Sequence, residues 1–180
     1  MENNGGYDLE GVIYHQHSNR LMAKILEIWP DKDVPVIDLG CGHNFYASVL
    51  DYAGYTAMGL DMVDLKSKLF CKADLTKPLV SHGDKKSHVI SLEVGEHIPL
   101  EKSGGYLDNV CSFGGDVIMS WAVKGQAGVG HINCQNNDWV VSKMADRGYM
   151  LIEYRTKELR ESVAQCHCDW FRNTLMYFTK

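Results

Sequence analysis

The sequence contains no run of about eighteen apolar residues, the length that crosses a bilayer, so a membrane-spanning chain is not expected. Its opening, Met1-Glu2-Asn3-Asn4-Gly5-Gly6, has neither the basic start nor the apolar centre of a secretory signal. A soluble, cytoplasmic protein is the expectation. Positive charge is scarce: 18 Lys and Arg against 23 Asp and Glu leave a formal net charge of -5. Binders of a polyphosphate backbone carry a basic face, so a nucleic-acid partner is disfavoured. The four prolines are scattered, and no repeat, low-complexity tract or Pro/Gly/Ser linker marks a domain boundary. At 180 residues the chain supplies one sizeable core, which implies a single domain over 1–180. Paired Cys-x-x-Cys spacing is also missing. The six cysteines (Cys41, Cys71, Cys111, Cys134, Cys166 and Cys168) are therefore read as free thiols, and Cys166-His167-Cys168 as a poor zinc candidate.

What is present is strand alternating with helix. Leu21, Met22, Ile25, Ile28 and Trp29 share one face of a helix over His15–Trp29 that Pro30 ends. Val34–Leu39 is an apolar run of strand length, followed by a helix over Phe45–Ala53 that Gly54 closes. Further strands are expected over Tyr55–Met62, Lys68–Ala73, His88–Glu93 and Asp116–Val123, with helices over Pro99–Phe113 and Asn133–Arg147. Tyr149–Tyr154, Lys157–Gln165 and Thr174–Lys180 complete the series as strand, helix and strand. This alternation predicts an α/β fold on a mainly parallel sheet, whose ligands bind beyond the carboxyl ends of the strands.

The loop after the first strand, Asp38-Leu39-Gly40-Cys41-Gly42, lets backbone approach a ligand closely before a helix begins. Asp61, at the end of the second strand and twenty-three residues after Asp38, is placed to accept from ribose hydroxyls. A dinucleotide would want a third glycine for its pyrophosphate, but the loop continues His43-Asn44-Phe45-Tyr46.

With these residues in hand, Val36-Ile37-Asp38-Leu39-Gly40-Cys41-Gly42 resembles the first signature of the class I S-adenosylmethionine-dependent methyltransferases. Gly59-Leu60-Asp61-Met62 resembles the second, implying Asp61 on the ribose and Met62 against the adenine. Ala73-Asp74-Leu75 resembles the third, near the adenine amino group, and Ser91-Leu92-Glu93-Val94-Gly95-Glu96-His97 the fourth, under the methionine part. The resemblance implies S-adenosylmethionine as cofactor, held by Asp38, Gly40, Cys41, Gly42, Asn44, Asp61, Met62, Asp74, Leu75 and Glu93. It also implies a Rossmann-like, doubly wound, seven-stranded sheet with helices on both faces and the last strand antiparallel. Residues 1–32 would form an N-terminal helical segment covering the cofactor site. Asn44 stands where the family often has a third glycine; asparagine tolerates the left-handed conformation, so the turn is expected to survive.

Methyl transfer from a sulfonium is an in-line displacement in which positioning and deprotonation of the acceptor supply the rate. Glu93, Glu96 and His97 end the fourth strand, and His131 lies in Gly128-Val129-Gly130-His131-Ile132-Asn133 after the fifth. Three readings stand side by side. His131 or His97, with Glu93, is the catalytic base. Alternatively Glu93, Glu96, His97 and His131 hold a divalent cation such as Mg²⁺. Otherwise the cluster only caps and walls the pocket. Glu-x-x-Glu-His resembles the motif of metal-assisted O-methyltransferases of ubiquinone synthesis and of small-RNA 3′-end 2′-O-methylation, in which a further histidine completes the site. His15 and His17 are read as a solvated helical face, and Trp121 either as an acceptor wall or as core.

The motif Asn/Asp-Pro-Pro-aromatic of amino-directed methylators is absent, and an oxygen acceptor on a small molecule or glycan is expected. An RNA 2′-hydroxyl is the alternative acceptor. A non-catalytic S-adenosylmethionine-binding partner or sensor is the alternative function; it would need neither Glu93 nor the histidines. The sequence carries no reading of oligomeric state.

Overall fold

A computed structural model describes residues 16–79, 86–164 and 167–180. The expected sheet is present. Seven strands run in the order β3-β2-β1-β4-β5-β7-β6. They are β1 (Val36–Leu39), β2 (Ala57–Asp61), β3 (Phe70–Lys72), β4 (Ser87–Ser91), β5 (Gly114–Met119), β6 (Met150–Leu151) and β7 (Met176–Thr179). Strands β1 to β5 pair in parallel, with Val36 of β1 facing both Ala57 and His88. Strand β7 runs against both β5 and β6, so the last strand is the antiparallel one.

Helices cover both faces, as the sheet's apolar content on each side requires. On one side α1 (Asn19–Ile28), α2 (Phe45–Tyr52), α5 (Glu153–Ser162) and the short α6 (Phe171–Thr174) bury Leu21, Ile25, Leu50, Leu159 and Phe171. On the other, α3 (Ser103–Ser112) and α4 (Asn137–Ala145) bury Tyr106, Leu107, Val110, Val140 and Met144. Helix α1 starts at Ser18, whose Oγ accepts from the Leu21 N–H at 3.2 Å, which satisfies one of the otherwise orphaned first-turn donors. Strand order reverses between β1 and β4, so the loops following these two strands border one crevice.

Several boundaries differ from the sequence reading. The strand expected over Tyr149–Tyr154 is only Met150–Leu151, and α5 starts at Glu153, ahead of the expected Lys157. Thr156 explains this: its N–H closes the first turn on the Ile152 carbonyl, and its Oγ1 accepts from the Tyr177 N–H at 3.0 Å. The fifth strand stops at Met119, after which Ser120 turns its Oγ to the Glu93 N–H and Trp121 enters the core, where it is fully buried. The helix expected from Asn133 begins at Asn137, because Asn133 is bonded to the turn after β4 instead. The helix over Pro99–Phe113 opens with a 3₁₀ turn at Leu100–Lys102. Cys41, Cys71, Cys111, Cys134 and Cys168 carry free thiols. His15 and Cys166 lie outside the described residues, as does residues 1–15 of the N-terminal segment. No helix among the described residues is long and apolar enough to cross a membrane.

Candidate active site

The turn after β1 is built from left-handed backbone: Gly40 at φ 79°, Gly42 at φ 51° and Asn44 at φ 63°. A Cβ on Gly40 would overlap the methyl groups of Val94, so this position admits only glycine. Asn44 takes the conformation a third glycine would take and turns its side chain away from the crevice. Its Nδ2 donates to the Leu69 carbonyl at 3.0 Å, and its Oδ1 lies where a Cβ on Gly59 would be. The substitution therefore leaves the turn intact.

Asp38 is buried at the end of β1, and its Oδ2 has no hydrogen-bond partner. Burial, and then the charge of Asp61, push its carboxyl up to about 8. Asp61 accepts from the Gly42 N–H at 2.8 Å and from the Val63 N–H at 3.2 Å, tying the loops after β1 and β2 together. Asp74 accepts from the Thr76 N–H at 3.0 Å and from its hydroxyl at 2.6 Å. Met62 is half-buried, and Leu75 is buried among core side chains.

A cavity of about 770 Å³ opens beside this turn. Asp38, Gly40, Cys41, Glu93, His97 and His131 line it; Gly42, Asn44, Asp61, Met62, Asp74, Leu75 and Glu96 do not. The volume lies in the range of small-molecule sites. His17, Phe45 and Trp170 form an aromatic part of the wall beside Gln16, the His17 ring stacked on Phe45 at 3.8 Å. His17 precedes α1 and so is not on a helical face. Trp121 does not line the cavity: its indole N–H donates to the Asn133 carbonyl at 2.7 Å and its ring fills the space beside Gly95.

Glu93 stands just past β4 with φ 54°, a conformation costing a non-glycine residue about 1–3 kcal/mol and tolerated where surroundings enforce it. The enforcing contact is Ser120 Oγ, which accepts from the Glu93 N–H at 2.8 Å. The chain then makes a 3₁₀ turn at Gly95–His97, which brings Glu96 inward at 0% exposure. Glu93 Oε1 and both oxygens of Glu96 are buried without hydrogen-bond partners. Burial raises the Glu93 carboxyl, and burial with the neighbouring Glu93 charge raises that of Glu96 well above the carboxylate range.

Two histidines face these acids. His97 Nδ1–H donates to the Gly130 carbonyl at 2.9 Å and His131 Nδ1–H to the Gln126 carbonyl at 3.2 Å, which directs the lone pair of each ring to Nε2. His131 Nε2 is 3.9 Å from Glu96 Oε1, and the two rings are 5.0 Å apart. One ligand atom from each of Glu96, His97 and His131 lies within 4.8 Å of the others. Imidazole nitrogens and carboxylate oxygens are donor types that suit a divalent cation. Of the sequence candidates, then, these three converge; Glu93 borders the same cavity but bonds to Gln126.

No family profile matches the sequence, and no curated protein matches it. Solved structures do. Magnesium protoporphyrin IX methyltransferase from Synechocystis PCC 6803 with bound SAH aligns with a TM-score of 0.57 at 18% identity, over 79% of this chain and 83% of that one. Small RNA methyltransferase HEN1 aligns with a TM-score of 0.60 at 12% identity, over 89% of this chain and 25% of that one. The chain has the class I methyltransferase fold. The cyclase SpnF shares the fold too, with a TM-score of 0.58 at 13% identity, over 89% of this chain and 80% of that one. Fold alone therefore does not name a reaction, and the site has to. The fit for S-adenosylmethionine rests on a turn where Gly40 admits no Cβ and on the unpaired, buried Oδ2 of Asp38.

Three residues of the site escaped the sequence reading. Ser120 holds Glu93, Gln126 bonds to its carboxylate, and Asn133 ties the loop after β5 to the turn after β4. Asn133 Nδ2 donates to the Ile98 carbonyl at 2.9 Å and to Ser103 Oγ at 2.8 Å, while its N–H and that of Ile132 both donate to the Glu96 carbonyl. Asn133→Ala leaves these buried acceptors unpaired and is expected to cost about 1–3 kcal/mol of stability. A urea unfolding midpoint checks it; a wild-type midpoint would show that Asn133 does not hold the loop.

Proposed function

We propose that the chain is an S-adenosylmethionine-dependent methyltransferase directed at a hydroxyl group, with Glu93, Glu96, His97 and His131 holding a divalent cation. The observation that carries this reading is the convergence of the buried Glu96 carboxylate with two imidazoles whose Nδ1 atoms are fixed by backbone carbonyls.

S-adenosylmethionine supplies the electrophilic methyl group, and a divalent cation such as Mg²⁺ supplies Lewis acidity toward the acceptor oxygen. The chain's own residues would do the rest. Asp38, Gly40, Cys41 and Glu93 would seat the cofactor, with Gly42, Asn44, Asp61, Met62, Asp74 and Leu75 shaping the loops around its adenosine part. His131 and His97 would hold the cation through Nε2, which would lower the pKa of a hydroxyl bound to it. Phe45, Trp170 and the 16–17 segment would exclude water and orient the acceptor.

The lining of the cavity supports one acceptor class. Among the described lining residues none is Lys or Arg, which favours an uncharged small molecule or sugar. A second reading, an RNA 2′-hydroxyl, is favoured by the likeness to small RNA methyltransferase HEN1. A non-catalytic S-adenosylmethionine-binding role is disfavoured by the strained Glu93 and the unpaired Glu96, which binding alone does not call for.

Transfer of labelled methyl from S-adenosylmethionine to a panel of neutral hydroxyl compounds, sugars and RNA 3′ ends, with and without EDTA, tests these readings. EDTA is expected to abolish transfer and added Mg²⁺ or Mn²⁺ to restore it. Transfer that ignores the chelator would leave the histidines as metal-free bases and sink the cation reading.

A further inference from the structure

Gln126 is placed by its own local turn. The sequence Val123-Lys124-Gly125-Gln126 closes a β-turn in which the Gln126 N–H donates to the Val123 carbonyl at 2.9 Å, with Gly125 supplying a φ of 90°. The side chain then folds back over the turn, its Oε1 accepting from the Val123 N–H at 3.4 Å. This fixes which end of the amide points outward. Nε2 donates to Glu93 Oε2 at 2.8 Å, across from the loop after β5 to the loop after β4.

The main chain of the same residue holds the other wall. The Gln126 carbonyl accepts from His131 Nδ1–H at 3.2 Å and from the Cys134 thiol at 3.8 Å. Gly128 packs against the imidazole, where a Cβ would overlap Nε2, so glycine at this position leaves the ring its place beside Glu96. We propose that Gln126 is a positioning residue that sets one oxygen of Glu93 and the Nε2 of His131 toward a shared divalent cation; this rests on the cation reading above.

The chemistry of the amide suits that role. It occupies Oε2 and leaves Oε1 buried and unpaired, whereas Lys or Arg would neutralise the carboxylate and Glu would add a second acid beside it. Partners that orient a metal-ligating group from outside typically change affinity by about 10- to 100-fold when removed.

The test is calorimetric titration of Mn²⁺ into the full chain saturated with SAH, for wild type, Gln126→Ala and Gln126→Met, with amide exchange of residues 127–131 followed in parallel. Methionine keeps much of the side-chain volume without its hydrogen bonds. The expected result is Mn²⁺ affinity lower by about 10- to 100-fold in both variants, faster exchange in the loop and an unchanged unfolding midpoint. Wild-type affinity in the variants overturns this inference alone. So does a loss in Gln126→Ala that Gln126→Met restores, since packing then accounts for it. A wild type that binds no Mn²⁺ overturns the cation reading, and this inference with it.

Discussion

Glu96→Gln is expected to lower methyl transfer by about 10²- to 10³-fold, the scale on which removal of one preorganised electrostatic contact acts at a reacting oxygen. The substitution is nearly isosteric and sits at 0% exposure, so loss of rate would reflect loss of a carboxylate ligand rather than of packing. The same variant is expected to unfold at a higher temperature than wild type. Burial is the main cause that holds this carboxyl well above the ordinary range, so removing the ionisable group removes a desolvation penalty. A lower rate coupled with greater stability is the signature of a residue kept for function at the fold's expense. Mn²⁺ titration should show weakened binding, while SAH still saturates the protein. Wild-type transfer in Glu96→Gln would show that the acid merely fills the turn at Gly95–His97.

Asp38→Asn is expected to separate stability from cofactor affinity in the same way, with a pH dependence whose sign is fixed. The folded-state carboxyl titrates near 8, above its ordinary value of 3.8, so ionisation is harder in the folded than in the unfolded chain. Stability is then full below pH 3.8 and is lost as pH rises toward 8. Asparagine abolishes that loss. The melting temperature of the cofactor-free variant should exceed that of wild type by about 2–4 °C for each kcal/mol regained, with a larger margin at pH 8 than at pH 5. Affinity for S-adenosylmethionine should fall by about 10- to 100-fold, the worth of one hydrogen bond to a charged group. Differential scanning fluorimetry at the two pH values and calorimetry of cofactor binding check the two halves. A margin that does not change with pH would mean that Asp38 is ionised in the folded state and satisfied by another group.

Much of the architecture was legible because it depends on local pattern. The apolar run before Gly40 and the Gly closing the helix after it mark β1 and α2 by composition alone. Asp38, Glu93, Glu96, His97 and His131 were legible for a different reason: titratable groups at strand ends in an α/β fold fall on one edge of the sheet. What was not legible is long-range. No sequence signal says that Gln126 reaches Glu93, thirty-three positions away, or that Asn133 spends its hydrogen bonds on Ile98 and Ser103 rather than opening a helix. Trp121 could be read as wall or core, and only the space left by Gly95 decides for core. The boundary between β6 and α5 was misplaced because Thr156, a good strand residue by type, is taken up by an N-terminal helix turn and by Tyr177.

Strand β7, formed by Met176–Thr179, lies between β5 and β6 rather than at an edge of the sheet. During synthesis, everything up to β6 can therefore be made while β5 still has one open flank and β6 has no neighbour at all. The sheet closes only when β7 slides into a slot whose two sides precede it in the chain. Such closure is slow, because it joins parts far apart along the chain, and it is unforgiving of early termination. Loss of β7 would part β6 from the rest of the sheet, although Met176–Thr179 do not line the cavity.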